Sequence, residues 1–560
     1  MRPEEPDSLA SAPPPLPGLP VPGAAARRPK HRRTLVIVGA VVAVLLAAGG
    51  AAAFVSMRGA SERLLDHVPA STDAVAVAYL DPGAGQKLNL LRMAGRFPAL
   101  GSSQQLHDNV NRALDVALEG AGLDHGDLGW VGPEVGVALD VPTLQAPTVS
   151  VLIATTDASA SEATLQKLRD RSNAGWTSET YGGVTVWTAA DDGSGGPSAQ
   201  AIVDGVVVIG NSRSMVEGII DASHGKVPRL QDDPNFEATM ADLPTSKLGF
   251  VYLDAARLVD LLKEQPGVQT LSASTNPALQ NLEAVQGIAV SLSAQPDGLA
   301  LDATEHYDRS KLSPTRVGQL NAAVHANPLL TSVPQDAWGV ASAEHIDASL
   351  GSLVAQARAR SPQVGHLLDD SGVSALLGAL SGDLAVEGGA GSSSAPSGAL
   401  LLGSSNDTQM QSALNRLAGF ISHKAHLTWN RAVYKGVKIN VLATGPSGLP
   451  VAPAYAIVGH AAVVTTSMQE MQRIVDASRG GANITTSPAF VEARKEVPAG
   501  SLFFLDVTRA ATDVRAALPP DRQAQFDRDV APNLAHVAYL ISGSASTAES
   551  SRFRVFVRIT

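Results

Sequence analysis

Cysteine is absent from all 560 residues, which excludes disulfides, thiolate metal sites, cysteine nucleophiles and lipid attachment through an N-terminal cysteine. Aromatic residues are scarce, 4% against 44% hydrophobic, so the interior has to be built from Val, Leu, Ile and Ala, with no platforms for stacking bases. Basic runs are missing from most of the chain. Residues 1–33 carry six Lys/Arg and three Asp/Glu and residues 34–56 carry none, leaving 36 basic and 50 acidic groups beyond. Such a body repels nucleic acid and anionic headgroups, and no nucleic-acid partner is expected. His-Glu-x-x-His, Gly-x-Ser-x-Gly and a phosphate-binding loop ending in Lys-Ser/Thr are also lacking, and no cofactor is expected.

What the chain does contain is an internal repeat. QAIVDGVVVIGNSRSMVEGIIDAS at 200–223 returns as YAIVGHAAVVTTSMQEMQRIVDAS at 455–478. Each copy reads as strand, two-residue turn, strand, helix. Asp204-Gly205 suits a type I′ hairpin turn between Ala199–Val203 and Val206–Gly210, and Gly459-His460 fills the same slot. Asn211 and Ser212, or Thr466 and Ser467, precede the helix as caps, with Ser467 and Glu470 spaced for a capping box. Val216, Ile219 and Ile220 share one helical face, reproduced by Met471, Ile474 and Val475.

Around this core the two halves match further. Val68-Pro69 with its strand answers Val333-Pro334, strands 135–139 and 148–154 answer 383–387 and 398–402, and Leu165 and Leu168 answer Leu414 and Leu417. Trp176 and Tyr181 answer Trp429 and Tyr434 at the same spacing. Helices are expected at 85–97, 103–120 and from 348, and closing strand pairs at 286–294 with 299–307 and 535–543 with 551–559. Ser313-Pro314 opens a helix between the halves. The expected fold is α+β: two tandem homologous domains, residues 60–312 and 313–560, each an antiparallel sheet of six to eight strands with helices packed mainly on one face.

The N-terminus differs in kind. Residues 1–33, with PPPLPGLPVP at 13–22, read as a disordered Pro/Ala-rich tail. Residues 34–56 are uncharged and as a helix would span about 34 Å, enough for a bilayer. Arg27, Arg28, Lys30, Arg32 and Arg33 crowd the near side of that span, so the positive-inside rule places the tail in the cytoplasm and the bulk of the chain outside.

With this anchor, VPASTDAVAVAYLDP at 68–82, QKLNLLRMAGRFPAL at 86–100 and the repeated Ala-Ile-Val hairpin, the chain resembles a family of bacterial, largely actinobacterial, membrane proteins known as domain of unknown function 3352. The resemblance covers most of residues 60–560. It implies a membrane-associated compartment and brings no catalytic positions.

A site used by both halves should appear twice, and this tests each candidate. Ser223 and Lys226 have Ser-x-x-Lys spacing, but the second half reads Ser478-Arg479-Gly480-Gly481, which favours helix termination. His423 and His426 lack both a counterpart and a third ligand. Asp81, Asp254, Asp347 and Asp506 recur at strand ends, as helix caps would. Trp176, Tyr181, Trp429 and Tyr434 remain as candidate ligand contacts, with core packing as the competing role. The expected function is a single-pass, membrane-anchored cell-envelope protein, held in the bilayer through residues 34–56. It acts as a non-enzymatic binding or scaffold module for an envelope partner. The alternatives are an extracytoplasmic hydrolase of cell-wall or lipid material and a lipid carrier.

Overall fold

The computed structural model describes residues 63–97, 125–143, 146–172, 174–190, 197–264, 281–322, 324–389, 397–443 and 452–560. The expected tail, membrane span and helix at 103–120 lie outside these residues, as does most of the turn-rich loop at 388–397. Among the described residues no helix is long and apolar enough to cross a membrane.

Among the described residues twenty strands form one mixed α/β assembly with a single antiparallel sheet. In the first half they are β1 (Ala74–Tyr79), β2 (Val131–Asp140), β3 (Thr148–Thr155), β4 (Trp176–Tyr181), β5 (Val184–Ala189), β6 (Ala199–Val203), β7 (Val206–Gly210), β8 (Gly249–Asp254), β9 (Val285–Gln295) and β10 (Gly298–Tyr307). In the second half they are β11 (Gly339–Ala343), β12 (Leu380–Gly389), β13 (Ser397–Ser404), β14 (Trp429–Tyr434), β15 (Val437–Leu442), β16 (Ala454–Val458), β17 (Ala461–Thr465), β18 (Leu502–Asp506), β19 (Val537–Ser546) and β20 (Ser550–Ile559).

Their order across the sheet is β4-β5-β6-β7-β3-β2-β1-β8-β9-β10 and then, reversed, β20-β19-β18-β11-β12-β13-β17-β16-β15-β14. Each strand of one half thus has a counterpart at the same place in the other. Ten strands per half exceed the expected six to eight, and the sheet does not stop at the boundary between halves. β4 and β14 carry no strand-like apolar alternation because both are largely exposed, WTSETY and WNRAVY, so no buried face alternates along them.

The two halves meet where β10 pairs with β20, equivalent strands running antiparallel. Counterparts in these strands stand 252 residues apart, because Asp254 pairs with Gly287 as Asp506 pairs with Tyr539. The one counterpart pair directly opposed across the junction is Asp302 and Arg554. A local two-fold axis therefore runs between them, and they bond through Arg554 Nε to Asp302 Oδ1 at 2.6 Å and Nη2 to Oδ2 at 3.2 Å.

The repeated hairpin is as expected. Asp204 and Gly205 both take positive φ (46° and 81°), the type I′ signature, whereas in the second half Gly459 (59°) is the turn residue in that region, a II′ pattern. The helix Arg213–Ser223 buries Val216, Ile219 and Ile220 completely against β6 and β7, and Met468–Ser478 does the same with Met471, Ile474 and Val475.

Helices are not confined to one face of the sheet, however. Val203, Val206 and Val208 pack under Arg213–Ser223, while Ile202, Val207 and Ile209 pack with Trp130, Leu165 and Leu168 of the opposite layer. The run VVVIG is continuous rather than alternating for this reason: both of its faces are covered.

Capping follows the sequence in part. Asp254 Oδ1 accepts from Arg257 N–H (3.0 Å), Asp506 Oδ1 from Arg509 N–H (2.9 Å), and Ser313 Oγ from Arg316 N–H (3.2 Å). The helix from Pro314 ends at Leu320. Asp81 instead pairs with Lys87, and Asp347 lies inside the first turn of the helix Ile346–Arg360, which starts after His345. Carried on from β1 and β11, the register makes Asp347 the equivalent of Pro82 rather than of Asp81. Ser467 caps Glu470 N–H at 3.1 Å, but the Glu470 carboxyl is buried beside Arg473 rather than closing a box.

Candidate functional site

The four aromatic candidates do not form one site. Trp176 and Tyr181 are the first and last residues of β4, about 17 Å apart at the rise of a strand, and β14 with Trp429 and Tyr434 lies at the opposite end of the sheet. Their polar handles are engaged locally in both halves. The indoles of Trp176 and Trp429 donate to Ser172 Oγ (2.6 Å) and Ser422 Oγ (2.9 Å). The hydroxyls of Tyr181 and Tyr434 donate to Asp221 Oδ2 (2.7 Å) and Asp476 Oδ2 (3.0 Å).

A lysine completes each tyrosine–aspartate pair, and it arrives from a different place in each half. Lys226 follows the helix in the first, 2.9 Å from Asp221 and over the Tyr181 ring; Lys435 sits in the β14–β15 turn in the second, 2.7 Å from Asp476 and over the Tyr434 ring. Where one half has lysine the other has glycine, Gly182 answering Lys435 and Gly481 answering Lys226. Asp221 and Asp476 are each held below the usual carboxylate range, first by the lysine and also by the tyrosine. This accounts for Lys226. Ser223 Oγ donates to Ile220 O at 2.8 Å and Ser478 Oγ to Val475 O at 2.8 Å, the same helix-end role in both halves.

Two arrangements were invisible to the repeat test because each occurs in one half only. The first is a buried carboxyl pair. Glu387 on β12 and Glu470 on the helix behind it are 2% and 1% exposed, at register positions held in the first half by Ala138 and Met215. Arg473 Nη1 donates to Glu470 Oε2 at 2.7 Å and also reaches Asp336. Neither oxygen of Glu387 has a well-formed hydrogen bond. Burial above all, then the charge of Glu470, pushes the Glu387 carboxyl up to about 9.

The second gathers His325, Glu344 and His345, whose ligand atoms all lie within 4.8 Å of one another. β11 ends at Ala343, and His345 takes a left-handed conformation (φ 57°, ψ 31°) that turns the chain into the helix Ile346–Arg360. In the first half Tyr79 and Leu80 occupy these two register positions. His325 Nε2 lies 2.8 Å from Asp383 Oδ1, its Nδ1 lies 3.8 Å from Glu344 Oε2, and its ring meets that of His345 edge to face at 5.6 Å.

Asp383 is aimed there by a β-bulge, in which residues 381–383 of β12 face one residue of β13. The bulge recurs at 132–134 of β2, and its last residue is again acidic: Glu134 Oε2 accepts from Leu64 N–H at 3.1 Å. By contrast His423 and His426, the pair noticed in the sequence, stand at the exposed end of the helix Asp407–Ala425, with His426 as its left-handed cap.

The fold defines a mixed α/β protein built on a large antiparallel sheet whose halves repeat one strand order. The chain belongs to the family described as protein of unknown function DUF3352, whose model matches residues 35–557. No curated protein matches it in sequence. Among solved structures it is similar to crystal form III of TP0453, at 15% identity over 48% of this chain and 90% of that one, with a TM-score of 0.24. Crystal form I of the same protein gives 14%, 48%, 88% and 0.24. A superposition at that TM-score is too loose to transfer fold or function.

Proposed function

We propose that the chain is a single-pass, membrane-anchored cell-envelope protein, two homologous domains held as one binding or scaffold unit outside the membrane by the span at 34–56. The observation that carries the scaffold reading is the β10–β20 junction. Nine residue pairs join equivalent strands about the Asp302–Arg554 ion pair, so the halves share one sheet rather than a flexible linker. The Glu387–Glu470 pair is sealed from water and so is not a candidate acid–base pair for the hydrolase alternative. The aromatic candidates are partly buried, with Tyr181, Tyr434 and Trp429 packed against the core, and enter this reading only through the remaining exposed part of their rings, as contacts for an envelope partner at the two ends of the sheet.

One observation favours the lipid-carrier alternative: Val251, Leu292, Leu301, Phe503 and Phe553 on the central strands are between 39% and 49% exposed, a patch suited to acyl chains. The test is purification of the full chain from membranes, followed by mass spectrometry of what accompanies it. A scaffold gives no stoichiometric lipid, whereas one or more lipids per chain that survive delipidating washes overturn the scaffold reading in favour of the carrier. A C-terminal reporter that is active only in the cytoplasm would sink the outside placement.

A further inference from the structure

We propose that His325, Glu344 and His345 bind a zinc-class divalent cation, with Asp383 as the residue that orients His325. Two imidazoles and a carboxylate are a donor set suited to such ions, and three protein ligands leave a fourth position for water. The spacing fits. Two ligands about 2.1 Å from a tetrahedral ion stand roughly 3.4 Å apart, close to the 3.8 Å between His325 Nδ1 and Glu344 Oε2, which is too long for a hydrogen bond.

The surroundings of His325 point the same way. Asp383 Oδ1 lies 2.8 Å from Nε2 of His325, while the other ring nitrogen, Nδ1, is 3.8 Å from Glu344 Oε2. Carboxylate, histidine and ion in line is the arrangement by which an outer carboxylate fixes the tautomer of a metal-binding imidazole.

Two features show that the backbone is shaped for this arrangement. His345 holds a left-handed conformation (φ 57°) that is uncommon for a non-glycine residue, at the point where the second half departs from the first. The bulge that aims Asp383 is present in both halves, but only the second places a histidine against its acid. Glu344 is 6% exposed in its side chain and His325 43%, so the cluster has a buried floor and an open side. Arg494 is the nearby cation. Its Nη1 donates to the carbonyls of Val497 (3.0 Å) and Pro498 (2.8 Å), and its charge interacts with that of Glu344.

The test uses the full chain in detergent, stripped with a chelator and titrated with Zn(II), and with Co(II) as a spectroscopic probe. The expected result is one equivalent bound per chain, with the visible absorption of a four-coordinate cobalt site. Glu344→Gln and His345→Asn should each weaken binding at least 10-fold; asparagine tolerates the left-handed conformation, so His345→Asn removes the imidazole while sparing the turn. Asp383→Asn should weaken it 10- to 100-fold with the stoichiometry unchanged. His423→Ala/His426→Ala should bind as the parent does. Thermal midpoints measured in chelator confirm that the variants fold. Absence of saturable binding at one equivalent, or ligand variants that bind like the parent, overturns the proposal.

Discussion

Glu387 makes stability fall as pH rises, and a single substitution should remove that dependence. Its carboxyl, ordinarily near 4.5, is pushed up to about 9 by burial and by Glu470, with Arg473 opposing and Asp336 adding to the shift. Between those values the folded chain keeps a proton that the unfolded chain releases, so stability is present in full below about 4.5 and is lost progressively toward 9. Each pH unit within the window costs about 1.4 kcal/mol, so at pH 7.5 the cost reaches a ceiling of about 4 kcal/mol. Glu387→Gln is near-isosteric and stays neutral, and its amide can donate to Glu470. Unfolding midpoints for parent and variant, measured from pH 5 to 8.5, should coincide at the acid end and diverge steadily above it, with the variant the more stable. Parallel curves, or a variant less stable at pH 8, would refute the assignment of the proton to Glu387.

Three further outcomes follow from the packing. Asp302→Arg sets two guanidinium groups face to face on the axis and should cost about 2–4 kcal/mol, while the exchange Asp302→Arg/Arg554→Asp should recover most of it in a double-mutant cycle. Ile219→Ala, at a fully buried position, should lower stability by about 2–5 kcal/mol in denaturant unfolding, and Ile474→Ala should match it in the other half. Lys226→Ala breaks a half-exposed ion pair and should change stability by less than about 1 kcal/mol; a larger loss would mean that the Tyr181–Asp221–Lys226 cluster carries more than local packing.

Local chemistry made much of the fold legible in advance. Asp204-Gly205 dictates its turn, and the spacing of Val216, Ile219 and Ile220 dictates a helical face, whatever the rest of the chain does. What escaped depends on partners distant in sequence. The β4–β5 hairpin is polar because its faces are largely open, and the second covered face of β6 and β7 comes from a helix some forty residues earlier.

The candidate site was harder to see. Comparing the halves pointed to the shared helix-end role of Ser223 and Ser478 and to the caps Asp254 and Asp506, but a comparison that rewards repetition discards whatever one half carries alone. Glu387 replaces an alanine within an ordinary apolar strand, and His325 reaches Glu344 only across β11. A signal for the latter did exist: Glu344-His345 stands where the two halves slip by one residue, with Ile346-Asp347 following in place of Leu80-Asp81.

The axial ion pair also bears on what a half could do by itself. In a symmetric dimer of one half, the residue on the axis would face its own copy, aspartate against aspartate or arginine against arginine. Opposite charges there are open only to two halves that differ at that position. The same pair distinguishes partners for β10: set against β10 of a second molecule, Asp302 would face another Asp302, whereas its own β20 offers Arg554.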